Sequence, residues 1–260
     1  MHFPDIIFQK SPPLASISMN RPETKNAFTP EMMDSICQAL KESKADPDVK
    51  VIILTGEGGA FSAGGNVKEM AEGKYTSWDM KNFLWDHLQR VPLLLEDVDK
   101  PVIAAIDGPA YGGGFDMTLA CDLRIASERA TFSSTFVRIG LAPGDGGAYF
   151  LPRIVGLSKA LHILLKGGII KMEEALNLGL VDRVVPVEGF SASVKDYALE
   201  MAHWPLPSLR AIKRAVYQGL RSDLRGHLDY ISSQLALLSE TEEHREAVKK
   251  ILGKKSRNRA

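Results

Sequence analysis

The chain has 260 residues, and its 32 basic side chains balance 32 acidic ones at 45% hydrophobic and 25% charged content, an ordinary globular composition. That balance excludes a disordered chain, a collagen and a polybasic nucleic-acid module. Two cysteines, a start that carries Pro4 and Asp5 without a long apolar run, and no stretch of about 18 consecutive apolar residues point to a reduced, cytoplasmic compartment and away from a membrane span.

In chain order, Leu14 to Met19 alternates apolar and small polar residues and stops at Asn20-Arg21-Pro22, which predicts a strand entering a turn. Thr29 as N-cap, Pro30 at the first helical position and Met33, Ile36, Cys37 and Leu40 at helical spacing predict a helix that Asp46-Pro47 ends. Val49 to Thr55 and Val102 to Ile106 are nearly continuous β-branched and apolar runs, as in strands buried on both faces. Each run empties into a glycine-rich loop, Gly56 to Asn66 (GEGGAFSAGGN) and Gly108 to Gly114 (GPAYGGG), with a helix expected after it. Strand, glycine loop and helix in repetition predict an α/β core of parallel crossovers with ligands at the strand ends. A short strand is expected at Leu123 to Ala126, and helices at about Ala148 to Val155, Ser158 to Leu165 and Met172 to Leu178. From about Ser191 the chain reads as helix only through Ile251, which predicts a helical appendage.

Neither glycine loop has GxGxxG spacing and no GxxxxGK[ST] occurs, so the common phosphate cradles are missing. Six scattered histidines without HExxH, and two cysteines far apart, give no case for a metal. Two readings of the glycine loops stay open: tight turns under a packed sheet, or backbone N–H groups brought close to a ligand as an oxyanion hole.

Three segments in order, FSAGGNVKEM, GPAYGGGFDMTLACDLRIAS and GLAPGDGGAYFLPRIVG, together with NRPETKNAF and EALNLGLVDRVVP, carry a resemblance that runs from about Ile17 to the C-terminal helices. The chain resembles the crotonase superfamily, the enoyl-CoA hydratase/isomerase family. The resemblance implies a ClpP/crotonase-like α/β fold, with a spiral core of ββα units over residues 1–200 and a helical trimerisation region over 201–260. It implies an acyl-CoA substrate, with CoA entering as part of it and no separate cofactor. By the same resemblance Gly65 and Gly113 match the two backbone donors aimed at the thioester carbonyl. Ala63 matches the residue whose carbonyl meets the adenine of CoA, and Lys68 the residue whose side chain lies near the CoA phosphates.

Asp116 matches the position where the family's hydratases carry a catalytic glutamate, shorter by one methylene; the alternative is an aspartate favoured by a helix N-terminus. The second hydratase glutamate falls here at Phe136, which transfers no proton. Asp145 in PGDGG is the expected replacement, with an N-cap aspartate as its alternative. Glu69, Trp85, His87 and Arg138 are weaker candidates for the acyl pocket, whose variable wall is expected among Tyr75, Phe83, Leu84, Trp85 and Leu88. Asn66, where the family commonly has aspartate, reads as a helix cap. Lys249, Lys250, Lys254 and Lys255 reach either the CoA phosphates of a neighbouring subunit or only solvent.

The expected activity is therefore an acyl-CoA hydratase or isomerase working through an enolate, in a homotrimer or a hexamer of two trimers. The alternatives are a hydrolase or C–C lyase of the same superfamily using Asp145, and a non-catalytic CoA- or RNA-binding member hinted at by the basic end to Arg259. Retention of both glycines and the zero net charge weigh against nucleic acid.

Overall fold

The computed structural model describes residues 2–72 and 76–257, the side chains of 69, 70 and 253–257 excepted. Tyr75 and Arg259, and the side chains of Glu69, Lys254 and Lys255, lie outside the described residues.

In chain order the elements are β1 (Ile6–Ser11), β2 (Leu14–Met19), α1 (Pro30–Ala45), β3 (Val51–Gly56), α2 (Val67–Ala71), α3 (Ser77–Phe83), a π-helical turn (Leu84–Leu88) and α4 (Arg90–Asp97). There follow β4 (Val102–Ile106), β5 (Pro109–Tyr111), α5 (Gly113–Ala120), β6 (Leu123–Ser127), β7 (Thr131–Ser133) and a 3₁₀ turn (Phe136–Ile139). The chain continues through α6 (Gly147–Val155), α7 (Leu157–Lys166), α8 (Met172–Asn177), β8 (Arg183–Val185), α9 (Phe190–Ala202), α10 (Leu206–Gly219), α11 (Leu224–Ser239) and α12 (Glu242–Arg257).

Six strands form one sheet in the order β1-β2-β3-β4-β6-β8, parallel except for the antiparallel β1–β2 pair, while β5 and β7 form a small parallel sheet of their own. Alternation explains the unbroken apolar runs. Ile52, Leu54, Val102, Ala104 and Ile106 pack with Met32, Met33, Ile36 and Leu40 of α1 and with Phe115 of α5. Val51, Ile53, Ile103 and Ala105 face the other way, onto Val194, Ala198 and Ala202 of α9. Both faces of the central strands are thereby covered, as parallel strands require.

The predicted N-cap is present, with Met32 N donating to Thr29 Oγ1 at 3.0 Å. At the other end of α1, buried Lys100 donates to the carbonyls of Ser43 (2.7 Å) and Asp46 (2.5 Å). Strand β1 precedes the first strand the sequence predicts, at Leu14; it is an edge strand that buries only Ile6 and so shows no pattern. The three-residue strands β5, β7 and β8 are likewise unpredicted, being too short for a period to register.

Of the C-terminal helices, α10 is tied into the core. Lys213 Nζ donates to Asp122 Oδ2 (2.7 Å) and to the carbonyls of Leu95 (2.9 Å) and Lys100 (3.2 Å), and Tyr217 Oη donates to the other Asp122 oxygen at 2.9 Å. Arg210 and Arg214 both pair with buried Asp99. By contrast α11 buries none of its residues, and Leu235 in its apolar stripe is 59% exposed.

One buried side chain joins the β3 exit to the chain before α1. Asn26, at φ 55°, donates through Nδ2 to the carbonyls of Glu57 and Ala60, each at 2.9 Å, and accepts from Arg21 N at 2.8 Å. Replacing it strands several buried polar groups at once. We expect Asn26→Ala to lose about 2 to 4 kcal/mol in a urea titration, and Asn26→Asp, which offers no donor, to lose no less.

Candidate active site

The two glycine loops leave the same edge of the sheet because β3 and β4 are parallel neighbours, Ile53 opposite Ile103. They then pair with each other: Phe61 N donates to Pro109 O and Tyr111 N to Ser62 O, each at 2.9 Å. Buried Ser62 donates from Oγ to Asn26 O (2.7 Å) and accepts from Gly64 N (3.0 Å), which turns the first loop toward the second. At Gly64 (φ 77°) a Cβ would stand 2.6 Å from Gly113 N, so only glycine allows the approach.

Gly65 comes next in the first loop, and Gly113 opens α5. An N–H in the first position of a helix has no carbonyl one turn back. Among the described residues, neither the Gly65 nor the Gly113 N–H is given to a backbone acceptor. Half-buried Ala63 donates to Lys25 O at 2.9 Å, whereas Lys68 is exposed on α2. Asn66 Oδ1 accepts from Lys68 N at 3.2 Å, the cap expected of it.

Two carboxylates converge on this end of α5. Asp116, fully buried one turn into the helix, accepts from Gly147 N at 3.0 Å through Oδ2, and its Oδ1 has no partner. Asp145 is 7% exposed; its Oδ1 is also unpartnered, and its Oδ2 lies 2.5 Å from where a Cβ on Gly113 would be. The N-cap alternative for Asp145 is thereby overturned. Gly146 at φ 103° is the N-cap of α6 and no side chain caps it there, because the turn sends the Asp145 side chain inward; Asp116 instead takes the Gly147 N–H.

Burial, together with the charge of Asp145, raises Asp116 to about 8, although the N–H groups of Gly147 and Asp145 pull it down. Burial alone raises Asp145 to about 6. Between those values one carboxyl group holds its proton while its neighbour is charged, the arrangement an acid and a base need at neutral pH.

Phe136 opens the 3₁₀ turn, half-buried, and its carbonyl accepts from Leu141 N at 2.9 Å. Of the weaker candidates, Arg138 is exposed on that turn and Trp85 is 68% exposed. His87 lies 3.3 Å from Asp34 and, with Gly65, Phe28, Phe83 and Asp86, lines a cavity of about 480 Å³. Leu84 packs against Gly144, and Leu88 belongs to the core. Sequence reasoning missed Asn26, Ser62 and Gly64, although all three lie in segments it quoted. It also missed Gln89, whose Nε2 donates to Gly144 O at 2.9 Å, because no sequence period marks a contact between residues so far apart.

The sequence model of the enoyl-CoA hydratase/isomerase family matches residues 9–258. A crotonyl-CoA hydratase of Syntrophomonas wolfei is 32% identical over 99% of this chain and 98% of its own length. A short-chain-enoyl-CoA hydratase of Clostridium acetobutylicum is 31% identical over 98% and 97%. Among solved structures, an enoyl-CoA hydratase from Bacillus anthracis superposes with a TM-score of 0.91 at 29% identity, covering 96% of each chain.

The burial of Asp116 has a sign that stability measurements read. Its ordinary value is 3.8, so as pH rises from there toward about 8 the unfolded chain releases a proton that the folded chain keeps, and stability falls. Asp116→Asn retains an oxygen for the Gly147 N–H and removes the titration. From pH 5 to pH 9 its stability relative to the parent should rise by at least about 1 kcal/mol in urea titrations; a difference independent of pH would show that Asp116 titrates normally.

Proposed function

Because the chain belongs to the enoyl-CoA hydratase/isomerase family of the crotonase superfamily, and so processes an acyl-CoA thioester, we propose that it works by proton transfer through an enolate. The observation that carries this reading is the convergence of Asp116 and Asp145, both buried, on the glycine end of α5. In the proposed complex the N–H groups of Gly65 and Gly113 donate to the thioester oxygen. Charge accumulates on that oxygen when a base takes an α-proton, or when water adds to the β-carbon of an enoyl thioester. Fixed donors stabilise it most at that moment.

Asp145, charged at neutral pH, takes a proton from the substrate or from an attacking water. Asp116, still protonated, delivers one to carbon. The pair replaces the two-glutamate arrangement that Phe136 breaks. It serves both water addition and a double-bond shift, and the hydratases to which the chain is similar favour a short enoyl thioester as the first substrate to try. The Ala63 carbonyl receives the adenine of CoA and Lys68 approaches its phosphates; no separate cofactor enters. The unpartnered Asp145 Oδ1 also supports a second reading, a hydrolase or C–C lyase in which this carboxylate is nucleophile or base.

We further assign residues 1–200 to the acyl-CoA core and 201–260 to oligomerisation in a cytoplasmic homotrimer or hexamer. The exposed stripe of α11 supports this assignment, and Lys249 and Lys250 on α12 then face a neighbouring subunit's CoA or solvent. No helix of the described residues is long and apolar enough to cross a membrane.

Turnover of crotonyl-, 3-enoyl-, dienoyl- and aryl-enoyl-CoA, with product masses, separates these reactions, and an acyl adduct on Asp145 would identify it as a nucleophile. For proton transfer, kcat/KM should rise through about pH 6 as Asp145 ionises and fall through about pH 8 as Asp116 does. Asp116→Asn and Asp145→Asn should each lower kcat at least about 100-fold with little change in KM. Light scattering should report three or six copies, and Leu235→Glu should lower that number; a monomeric parent protein at micromolar concentration refutes the assignment of the tail.

A further inference from the structure

Asp145 sits in Pro143-Gly144-Asp145-Gly146-Gly147, where none of its glycine neighbours has a side chain with which to pin the backbone. Contacts on two sides restrain this loop. On one side Gly147 N donates to Asp116 Oδ2 at 3.0 Å. On the other, Gln89 Nε2 donates to Gly144 O at 2.9 Å, and the Leu84 side chain lies 3.3 Å from where a Cβ on Gly144 would be. The Gly144 carbonyl belongs to the same rigid peptide unit as the Asp145 N–H. Holding one end therefore fixes the plane from which the Asp145 side chain departs.

Leu84 and Gln89 meet one residue because of an irregularity in their helix. Five residues of an α-helix advance about 500°, which leaves the first and last side chains about 140° apart. Here residues 84–88 form a π-helical turn, and Gln89 N donates to Leu84 O at 2.8 Å. A hydrogen bond across five residues widens the turn and brings its two ends onto one face. Leu84 then supplies the apolar wall behind Gly144 while Gln89 grips its carbonyl. Half-buried Gln89 hydrogen-bonds the Gly144 carbonyl and neither carboxylate, so it acts through the loop.

We propose that Gln89 is the positioning residue for Asp145, holding the Gly144 carbonyl so that the carboxylate stays beside Gly113, with the π turn as the device that aims it. This rests on the reading of Asp145 as the proton-transfer base. Without the bond, the carboxylate leaves its buried place for solvent part of the time. Misplacement by about 1 Å costs on the order of 100-fold in rate.

The test is a double-mutant cycle on the full-length protein, using whichever thioester of the panel turns over fastest. Gln89→Leu, similar in volume but unable to donate, should lower kcat by about 10- to 100-fold and leave KM within about twofold. Its acidic limb in kcat/KM should move below about pH 6, toward an ordinary carboxylate, as Asp145 gains solvent. In an Asp145→Asn background the same change should cost less than about twofold, since no base remains to be placed. Gln89→Met repeats the measurement if the leucine variant does not fold. A Gln89 variant with unchanged kcat and pH limb, or one whose loss persists undiminished beside Asp145→Asn, overturns the proposal while the role of Asp145 stands. An Asp145→Asn enzyme as fast as the parent removes the base itself and this inference with it.

Discussion

The approach of two backbones at Gly64 and Gly113 is the constraint on which the site depends. Neither loop reaches that contact alone. Parallel pairing of β3 and β4 delivers both to one edge of the sheet, Asn26 holds the first loop by its carbonyls, and Ser62 bends it inward. A side chain on Gly64 would meet the Gly113 nitrogen, and one on Gly114 would meet the Ser62 carbonyl. The absence of two methyl groups thus sets the separation of two N–H donors, a distance that a more flexible pair of side chains would hold less well. The many hydrogen bonds of Asn26 and Ser62 offset the conformational entropy that such glycines lose on folding.

Placing charge at this junction has a cost that the surroundings divide between two carboxyl groups. Both are buried, yet among the described residues only Asp116 accepts a hydrogen bond from the backbone, and it lies close enough to Asp145 to feel its charge. Two adjacent buried carboxylates resist ionising together, so the first to lose its proton raises its neighbour. Asp145, the less deeply buried of the pair, is the one that ionises first. Asp116 also holds the first turn of α6, through the oxygen that accepts from Gly147 N.

The buried strands, the capped α1 and the helical tail were legible because each rests on local rules: period, β-branching, Thr29 followed by Pro30. Enoyl-CoA chemistry was legible only from the glycine motifs, since composition and spacing left the loops undecided between turn and ligand site. What escaped is non-local. The edge strand β1 buries too little to show a pattern, and nothing around Leu84 to Gln89 announces a π turn. Asp-Gly-Gly before a helix fits a cap on local grounds, and only the inward turn at Gly146 (φ 103°) reveals that Asp145 faces α5. Its cap is supplied by Asp116, thirty-one residues earlier.

All eight residues of α5 are buried, whereas Phe136 lies half-buried on a short turn and Asp145, though buried, lies on a glycine loop outside regular secondary structure. The two kinds of position answer to different pressures. A change on α5 disturbs the core on every side, so the positions of Gly113 and Asp116, the donor and the acid of the proposed reading, are tied to the packing of the fold. Residue 136 is only half-buried, on an irregular turn, where an exchange of side chain is expected to disturb less of the core than one on α5. On the proposed reading, new chemistry arises in this scaffold by moving a proton-transfer group from one side of the glycine junction to the other, with the N–H groups that would receive negative charge left in place throughout the change.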